Sequence, residues 1–353
     1  MNISTDLIDI SPSENISRGY EWWYFDGLST NGRYGFVIIF YHSNPFSTRK
    51  KDWSSLNIQA EINPAISISI YDEGRTIYYG FQEFASDFFS WNEEQKLLKI
   101  DQNTMHFSLV GDELDFEIKL DQKLDSGHSI SGIIKGKGGV INKKLIAQKD
   151  QEKHFWNLIL PKADLDVNVN IKAGKSSREF QFFGTGYFDH NTGLEPMKND
   201  FTNWYWGRFH FKDSILIYYL MNQHKMPQYE AWLIDNKGQK VLEKFEDITP
   251  TYYSRNWLGL KSARKIVLKS SPTEITIQTH SLIDNGPFYQ RFLGDAVMNR
   301  NDIVQAAQGL AEYLHPKKIH AKKFWPLVHM RLRYMNEKPH WVQKSKILYP
   351  WTW

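Results

Sequence analysis

The sequence predicts an all-β protein built from two antiparallel domains. Apolar and polar residues alternate along most of the chain, turn residues separate the alternating segments, and 353 residues exceed one typical domain. The strings "EWWYFDG" (21–27) and "NWYWGRFHF" (203–211) each lead into an apolar strand about half the chain apart, which indicates an internal repeat. We place the boundary in the turn-rich stretch 190–200, giving domains of residues 1–193 and 194–353.

Twelve further segments alternate with period two and are rich in β-branched and aromatic residues, which is typical of short strands. Asn31-Gly32, Asp72-Glu73-Gly74 and Asn236-Lys237-Gly238 supply turn chemistry between them. The predicted strands are 33–42, 65–72, 76–84, 105–111, 114–121, 128–136, 164–172, 179–189, 214–222, 228–235, 265–270 and 273–280.

Helical spacing is clear only near the C-terminus. Ile303, Ala306, Ala307, Leu310 and Leu314 recur at i, i+3 and i+4, behind a cap at 301 or 302. This pattern predicts one short helix.

The "EWWYFDG" strand carries aromatic side chains on both faces, which predicts burial on both. Alternation places Glu21, Trp23 and Phe25 on one face and Trp22, Tyr24 and Asp26 on the other. One face should close a barrel core, and the other should line a cavity or meet the second domain. Asp26 precedes Gly27 and is predicted to serve a turn.

Composition limits the chemistry. The net charge of +3 is too small to indicate binding to nucleic acid. The absence of cysteine excludes disulfides and thiolate catalysis. We expect a protein without an export signal or membrane span, located in the cytoplasm. Scattered histidines without a metal motif predict no metal, and neither a phosphate loop nor a GxSxG motif is present. The sequence carries no signal for an oligomeric state.

Aromatic residues make up 15% of the chain, with thirteen Trp. Rings of this size shape apolar surfaces, and an antiparallel barrel of about eight strands can hold one small ligand. We therefore expect a lipophilic small molecule as ligand, although aromatic cores alone would also account for the composition.

Several strings resemble the carotenoid 1,2-hydratase (hydroxyneurosporene synthase) family, which is related to AttH-like proteins and lipocalin-like cyclases. In chain order the strings are "EWWYFDG", "YGFVIIFYHSNPFS", "HFWNLILPKADLDVNVNI", "GTGYFDHNTGLEPM", "NWYWGRFHF", "GLAEYLHPKKI" and "FWPLVHMRLR". The resemblance covers roughly residues 18–335, and "GYFDHNTG" followed by "WYWGR" is its most specific part. It implies two lipocalin-like β-barrel domains that act on a polyene or isoprenoid without a metal or organic cofactor.

Tyr187 and Asp189 lie two apart on a predicted strand and therefore share one face. In an apolar cavity, desolvation would raise the pKa of Asp189 toward neutrality and make it a proton donor. The resemblance points to the same pair as the proton-transfer site of hydratases. The alternative is that Asp189 caps a turn at 191–193.

Indole faces stabilise a carbocation through their quadrupole. Trp156 is the first candidate because it lies in a string that matches the family, and the substrate-binding candidates beside it are Trp204, Trp206, Trp23 and Glu21. Each of these Trp side chains could instead be a packing residue.

The resemblance also places Glu312 near the site. On a helix Glu312 would face His315, and the alternative is a surface salt bridge. The basic segment from Lys317 to Arg333 could contact an anionic membrane peripherally, or could simply be solvated.

The sequence therefore predicts a cofactor-independent hydratase in which Asp189, assisted by Tyr187, protonates a C=C bond for water addition. Two alternatives remain open. One is a lipocalin-like cyclase or pericyclase that folds a polyene into a ring, and the other is a carrier that binds a lipophilic ligand without changing it.

Overall fold

The computed structural model describes residues 1–4, 10–13, 16, 19–49, 62–141, 153–223, 226–319 and 321–353. These residues form two compact units. Unit 1 comprises Met1–Met197 and Trp325–Trp353, and unit 2 comprises Lys198–Phe324. The chain passes from unit 1 to unit 2 between Met197 and Lys198, close to the predicted boundary at 193–194. Residues 325–353, which the prediction assigned to the second domain, belong to unit 1.

The described residues of unit 1 form one sheet of thirteen strands. The strands are β1 Asn2–Ser4, β2 Tyr20–Ser29, β3 Tyr34–Ser43, β4 Ala65–Asp72, β5 Arg75–Glu83, β6 Phe89–Asn92, β7 Leu97–Ile100, β8 Asn103–Val110, β9 Glu113–Lys123, β10 His128–Gly139, β11 His154–Ala173, β12 Ser176–Gly193 and β22 Leu332–Tyr334. Their order is β22-β5-β4-β3-β2-β12-β11-β10-β9-β8-β7-β6, with β1 beside β11.

In unit 2, the part of the chain that the structure describes forms a sheet of nine strands. The strands are β13 Phe201–His210, β14 Ser214–Gln223, β15 Pro227–Asp235, β16 Val241–Phe245, β17 Asp247–Arg255, β18 Lys261–Lys269, β19 Thr273–Asn285, β20 Tyr289–Arg300 and β21 Ile303–Leu314. Their order is β16-β15-β14-β13-β21-β20-β19-β18-β17.

The two sheets follow one plan. In each sheet, an early aromatic strand pairs on one side with the next strand of the chain and on the other side with a late strand. In unit 1, β2 lies between β3 and β12, and in unit 2, β13 lies between β14 and β21. Each sheet packs the side chains of one face into its own core. The predicted all-β, antiparallel architecture is confirmed, and all twelve predicted strands overlap observed ones.

The predicted helix at 303–314 is wrong, because these residues form β21. Asn301 and Asp302 have φ values of 50° and 64°, and they make the two-residue turn of a β20–β21 hairpin instead of a helix cap. Gly309 lies so close to β13 that a Cβ there would be 2.0 Å from the Arg208 carbonyl oxygen. β21 therefore pairs on both sides, with β13 and β20, and this tertiary pairing outweighs its helical spacing.

The helices are short and follow the last strand of unit 2. They are α1 Pro316–Ile319 and α2 Trp325–Arg331. Short 3₁₀ turns occur elsewhere along the chain, at Ser86–Phe88, Met197–Asn199, Lys322–Phe324, Trp341–Lys344 and Pro350–Thr352. The predicted short C-terminal helix thus exists, but further along the chain than expected. Within the described residues, no helix has the length and apolar character needed to cross a bilayer.

Gly27 lies inside β2 and does not make a turn. A Cβ at this position would be 2.4 Å from side-chain atoms of both Leu165 and Phe36, so the strand needs glycine for close packing. The strand runs on to Ser29, which corrects the turn role predicted for Asp26. Asp26 is instead a fully buried strand residue opposite Tyr187.

Candidate active site

The candidate site is built on β12, which lies between β2 and β11. Because side chains alternate along a strand, Tyr187, Asp189 and Asn191 project from one face, whereas Phe188 belongs to the core on the other face. The strand continues through Gly193, so the turn cap proposed as an alternative for Asp189 does not form.

Three side chains donate hydrogen bonds to the buried Asp189 carboxyl group, which is 4% exposed. Its Oδ2 accepts from the Tyr187 hydroxyl at 2.7 Å and from Trp156 Nε1 at 2.6 Å. Its Oδ1 accepts from Asn191 Nδ2 at 2.6 Å. The structure therefore brings together Asp189, Tyr187 and Trp156, three residues singled out from the sequence.

Opposing effects act on this carboxyl. Burial favours its neutral, protonated form, whereas hydrogen-bond donors favour the carboxylate. The indole N–H can only donate, so Trp156 stabilises negative charge on Oδ2 in particular. All three donors are placed to stabilise negative charge on this carboxyl.

Asn191 was not recognised from the sequence. Its position before Thr192 and Gly193 indicates a turn, although the alternation that joins Tyr187 to Asp189 extends to Asn191 as well. In the structure Asn191 pairs with Trp22 of β2 and Trp156 of β11, on the same face of the sheet.

His154 and Tyr20 were also missed, and they lie at the far end of this face. His154 precedes Trp156 by two residues, is buried, and shares a 3.1 Å hydrogen bond between its Nδ1 and the Tyr20 hydroxyl. Tyr20 stacks on Trp22 with ring centroids 4.7 Å apart. The string "HFW" contains the signal, since His154 and Trp156 share a strand face.

Glu21 and Trp23 lie on the opposite face of the sheet from Asp189, inside unit 1. Trp23 belongs to the core cluster and stacks on His190, with ring centroids 4.7 Å apart. Glu21 hydrogen-bonds His42 Nδ1 at 2.7 Å and His190 Nε2 at 3.0 Å. The thickness of the sheet separates these two predicted substrate-binding residues from the Asp189 carboxyl.

Glu21 is held as a carboxylate. Burial by itself raises the pKa of Glu21, but the hydrogen bonds with His190 and His42 outweigh it, so the pKa lies below its ordinary value of 4.5. Because the folded-state pKa is lowered, Glu21 stabilises the fold above its unfolded-state pKa, and this stabilisation is lost as the pH falls through the folded-state pKa.

We therefore expect the free energy of unfolding to fall as the pH drops below about 4.5, and expect Glu21→Gln to weaken that dependence. The variant should also be less stable at neutral pH, because an amide has one acceptor oxygen, whereas the carboxylate offers one oxygen to each imidazole. Denaturant titrations at a series of pH values measure both effects. Glu113→Gln, in an exposed pair with Lys137, is the control and should behave as the wild type. An unchanged acid slope in Glu21→Gln would contradict the assignment.

Trp204, Trp206 and Glu312 lie in unit 2, on one face of its sheet. Trp206 is directly opposite Glu312 across the β13–β21 pair, whereas Tyr205 and Phe209 point into the core of this unit. Glu312 pairs with Arg291, whose Nε lies 2.7 Å from Oε1. The helical contact predicted between Glu312 and His315 is wrong, because Glu312 belongs to a strand.

The internal repeat relates Glu312 to Asp189. The opening strands β2 and β13 align when Trp22-Trp23 is matched with Trp204-Tyr205. In this alignment Tyr24 matches Trp206. Asp189, which is opposite Tyr24, therefore corresponds to Glu312, which is opposite Trp206. On the other side, Leu158 opposite Asp189 corresponds to Arg291 opposite Glu312. Unit 2 thus carries a carboxylate at the equivalent position, but neutralised by arginine.

Comparison with known proteins identifies the family. A family model described as carotenoid hydratase CrtC matches residues 65–340. The chain belongs to the CrtC carotenoid hydratase family. The predicted enzyme class, a hydratase (hydro-lyase), is confirmed by this membership. The described residues contain no group of three or more His, Asp or Glu side chains arranged to hold a metal.

Relatives with similar sequences bear carotenoid names. A protein of Chlorobaculum tepidum named hydroxyneurosporene dehydrogenase is 24% identical over 343 residues, which cover 91% of this chain and 89% of the relative. The acyclic carotenoid 1,2-hydratase of Thiocapsa roseopersicina is 24% identical over 197 residues, 54% of this chain and 44% of the relative.

Solved structures confirm the lipocalin-like fold. CghA with Sch210972 matches with a TM-score of 0.61 at 10% identity, covering 88% of this chain and 94% of CghA. A structure assigned as AttH from Nitrosomonas europaea matches with a TM-score of 0.58 at 14% identity, covering 89% of this chain and 97% of that one. At such identities the likeness concerns the fold alone.

Proposed function

We propose that this CrtC-family enzyme adds water to a terminal C=C bond of an acyclic carotenoid or related isoprenoid, with Asp189 as the proton donor and without a cofactor. The observation that carries the proposal is the buried Asp189 carboxyl, which accepts hydrogen bonds from Trp156, Tyr187 and Asn191. The names of the relatives support the substrate class.

In the first step, the π electrons of the double bond take the proton of the Asp189 carboxyl. A new C–H bond forms, the O–H bond breaks, and the more substituted carbon becomes a tertiary carbocation. Negative charge develops on the carboxyl at this moment, and the donors from Trp156 and Tyr187 are already aimed at Oδ2. Preorganised donors of this kind lower the barrier because they need no reorganisation as the charge appears.

In the second step, the oxygen of a water molecule attacks the carbocation. The resulting oxonium returns a proton to the Asp189 carboxylate, which restores the acid and leaves a tertiary alcohol. The indole ring of Trp156 is suited to stabilise the cation before capture, because it is electron-rich at its face. Across the cycle one water is added and no electrons are exchanged with an outside agent.

The test measures the mass of the product and whether its added oxygen comes from water. Purified protein, dialysed against a chelator, is incubated with lycopene, an acyclic carotenoid, in water labelled with heavy oxygen. We expect a product heavier by one water that carries the label. A product isomeric with lycopene would instead indicate cyclisation, and lycopene bound but recovered unchanged would indicate a carrier. Either of these results would overturn the proposal.

A further inference from the structure

Residues 341–353 pack against the rest of unit 1 through buried side chains. Val342, Gln343 and Tyr349 are buried, and Val342 and Tyr349 belong to the core of unit 1. Gln343 Nε2 donates to the His329 carbonyl oxygen at 3.1 Å. Trp353 packs against Tyr349, with ring centroids 5.9 Å apart. Anchors at both ends give this segment a defined position.

Between these anchors the segment presents large apolar side chains to solvent. Trp341, Ile347 and Trp351, here called the C-terminal patch, are 64%, 68% and 80% exposed. In the part of the chain that the structure describes, the one other exposed Trp is Trp257 in unit 2. Large apolar side chains that are exposed near one another often mark an interaction site.

Two lysines, Lys344 and Lys346, lie in the same segment as the C-terminal patch. Lys344 follows Trp341 by three residues in a 3₁₀ turn, which puts both side chains on one side. The Lys346 ammonium lies beside the turn at Gly174, next to the exposed Lys175. The single acidic side chain after residue 334, Glu337, is paired with Arg49 at 2.7 Å.

The basic segment singled out from the sequence is a poorer candidate for the same role. Arg333 is bonded to Asp125 at 2.6 Å, and Arg331 lies over the ring of Tyr79. Lys317 and Lys318 belong to unit 2, on a helix whose adjacent residues are buried.

We propose that the C-terminal patch docks unit 1 on a bilayer that contains anionic phospholipid. Trp side chains prefer the headgroup region, where the indole ring is buried and its N–H stays hydrated. Lysines beside them gain from the negative surface potential of anionic lipid. A second copy of the chain is a poorer occupant, because an isologous contact through the patch would bring Lys344 and Lys346 of both copies into one interface.

Docking would bring the enzyme to the phase in which a polyene dissolves, but the proposal stands independently of the reaction. Its test uses protein alone with sedimented vesicles, so failure of docking and failure of the hydratase assignment are distinguishable. We expect the wild type to bind vesicles of mixed phosphatidylcholine and phosphatidylglycerol, and to bind phosphatidylcholine vesicles at least tenfold more weakly.

Two variants probe the two parts of the surface. Trp341→Ala with Trp351→Ala should abolish binding to the mixed vesicles. Lys344→Gln with Lys346→Gln should weaken it by about 10- to 30-fold and remove most of its salt dependence. All four side chains are exposed, so the fold is expected to persist, which a thermal melt verifies.

Trp257→Ala is the matched control, because Trp257 is 79% exposed and lies in unit 2. It should bind vesicles as the wild type does. The proposal is overturned if the wild type does not bind the mixed vesicles, or if Trp257→Ala loses binding equally. It is also overturned if light scattering without lipid shows an oligomer that the Trp341 and Trp351 substitutions dissociate, since the patch would then serve a second copy.

Discussion

Replacing Asp189 with Asn is expected to lower the rate of water addition by about 10²- to 10⁴-fold, the range that general acid catalysis typically contributes. Asn has the same shape but no proton to give to a double bond. The fold should persist, because the amide oxygen can accept from Trp156 and Tyr187 as Oδ2 does. The amide of Asn191 can then turn to present its oxygen to the new NH₂ group.

The measurement is single-turnover product formation on the polyene that the wild type hydrates, together with equilibrium binding of that polyene. We expect the rate to fall and the affinity to change little. Tyr187→Phe keeps the ring and removes one donor, so its loss of rate should be smaller than that of Asp189→Asn.

A matched control for loss of a buried carboxyl is available in the same unit. Glu83 is fully buried and accepts hydrogen bonds from Asn44 and Ser47 at 2.9 and 3.0 Å. Glu83→Gln should retain the wild-type rate once folded protein is counted. A wild-type rate in Asp189→Asn would show that the proton comes from elsewhere.

Replacing Arg291 with Met is expected to lower the free energy of unfolding by up to about 3–5 kcal/mol, the usual result of leaving one member of a fully buried ion pair alone, because this pair is largely buried. The side chains of Arg291 and Glu312 are 4% and 11% exposed, and their Nε and Oε1 atoms lie 2.7 Å apart. Without the guanidinium, Glu312 would be a largely buried carboxylate without its cation.

Equilibrium denaturation measures this effect, and a second substitution tests its cause. Arg291→Met with Glu312→Leu removes both charges and should recover most of the lost stability, since apolar pairs can replace buried ion pairs. Lys269→Met breaks an exposed pair with Glu274, in which both side chains are 54% exposed, and should cost less than about 1 kcal/mol. Equal losses in Arg291→Met and Lys269→Met would contradict a buried pair.

Local alternation was sufficient to place Tyr187 and Asp189 on one face, because successive side chains of any strand point in opposite directions. The same rule separates Glu21 and Trp23 from Trp22 and Tyr24. It could not say which face meets the core. That depends on how β2 lies between β3 and β12, which a single strand does not encode.

The segment 303–314 shows how local spacing can mislead. Ala307 belongs to the helical pattern, yet it also alternates with Gly309, Ala311 and Tyr313. Of these residues, Ala307, Ala311 and Tyr313 pack in the core of unit 2. Two neighbouring strands supply hydrogen bonds on both sides of β21, and these outweigh a weak helical preference in the isolated segment.

The sequence by itself determined many of the strand segments, their alternating faces and the pair Tyr187 and Asp189, because these follow from the geometry of one strand. The tertiary structure alone decided that Trp156 donates to Asp189, and that Arg291 neutralises Glu312. Trp156 is thirty-three residues from Asp189 along the chain. Contacts over such separations depend on strand register, which is set by the packing of whole sheets.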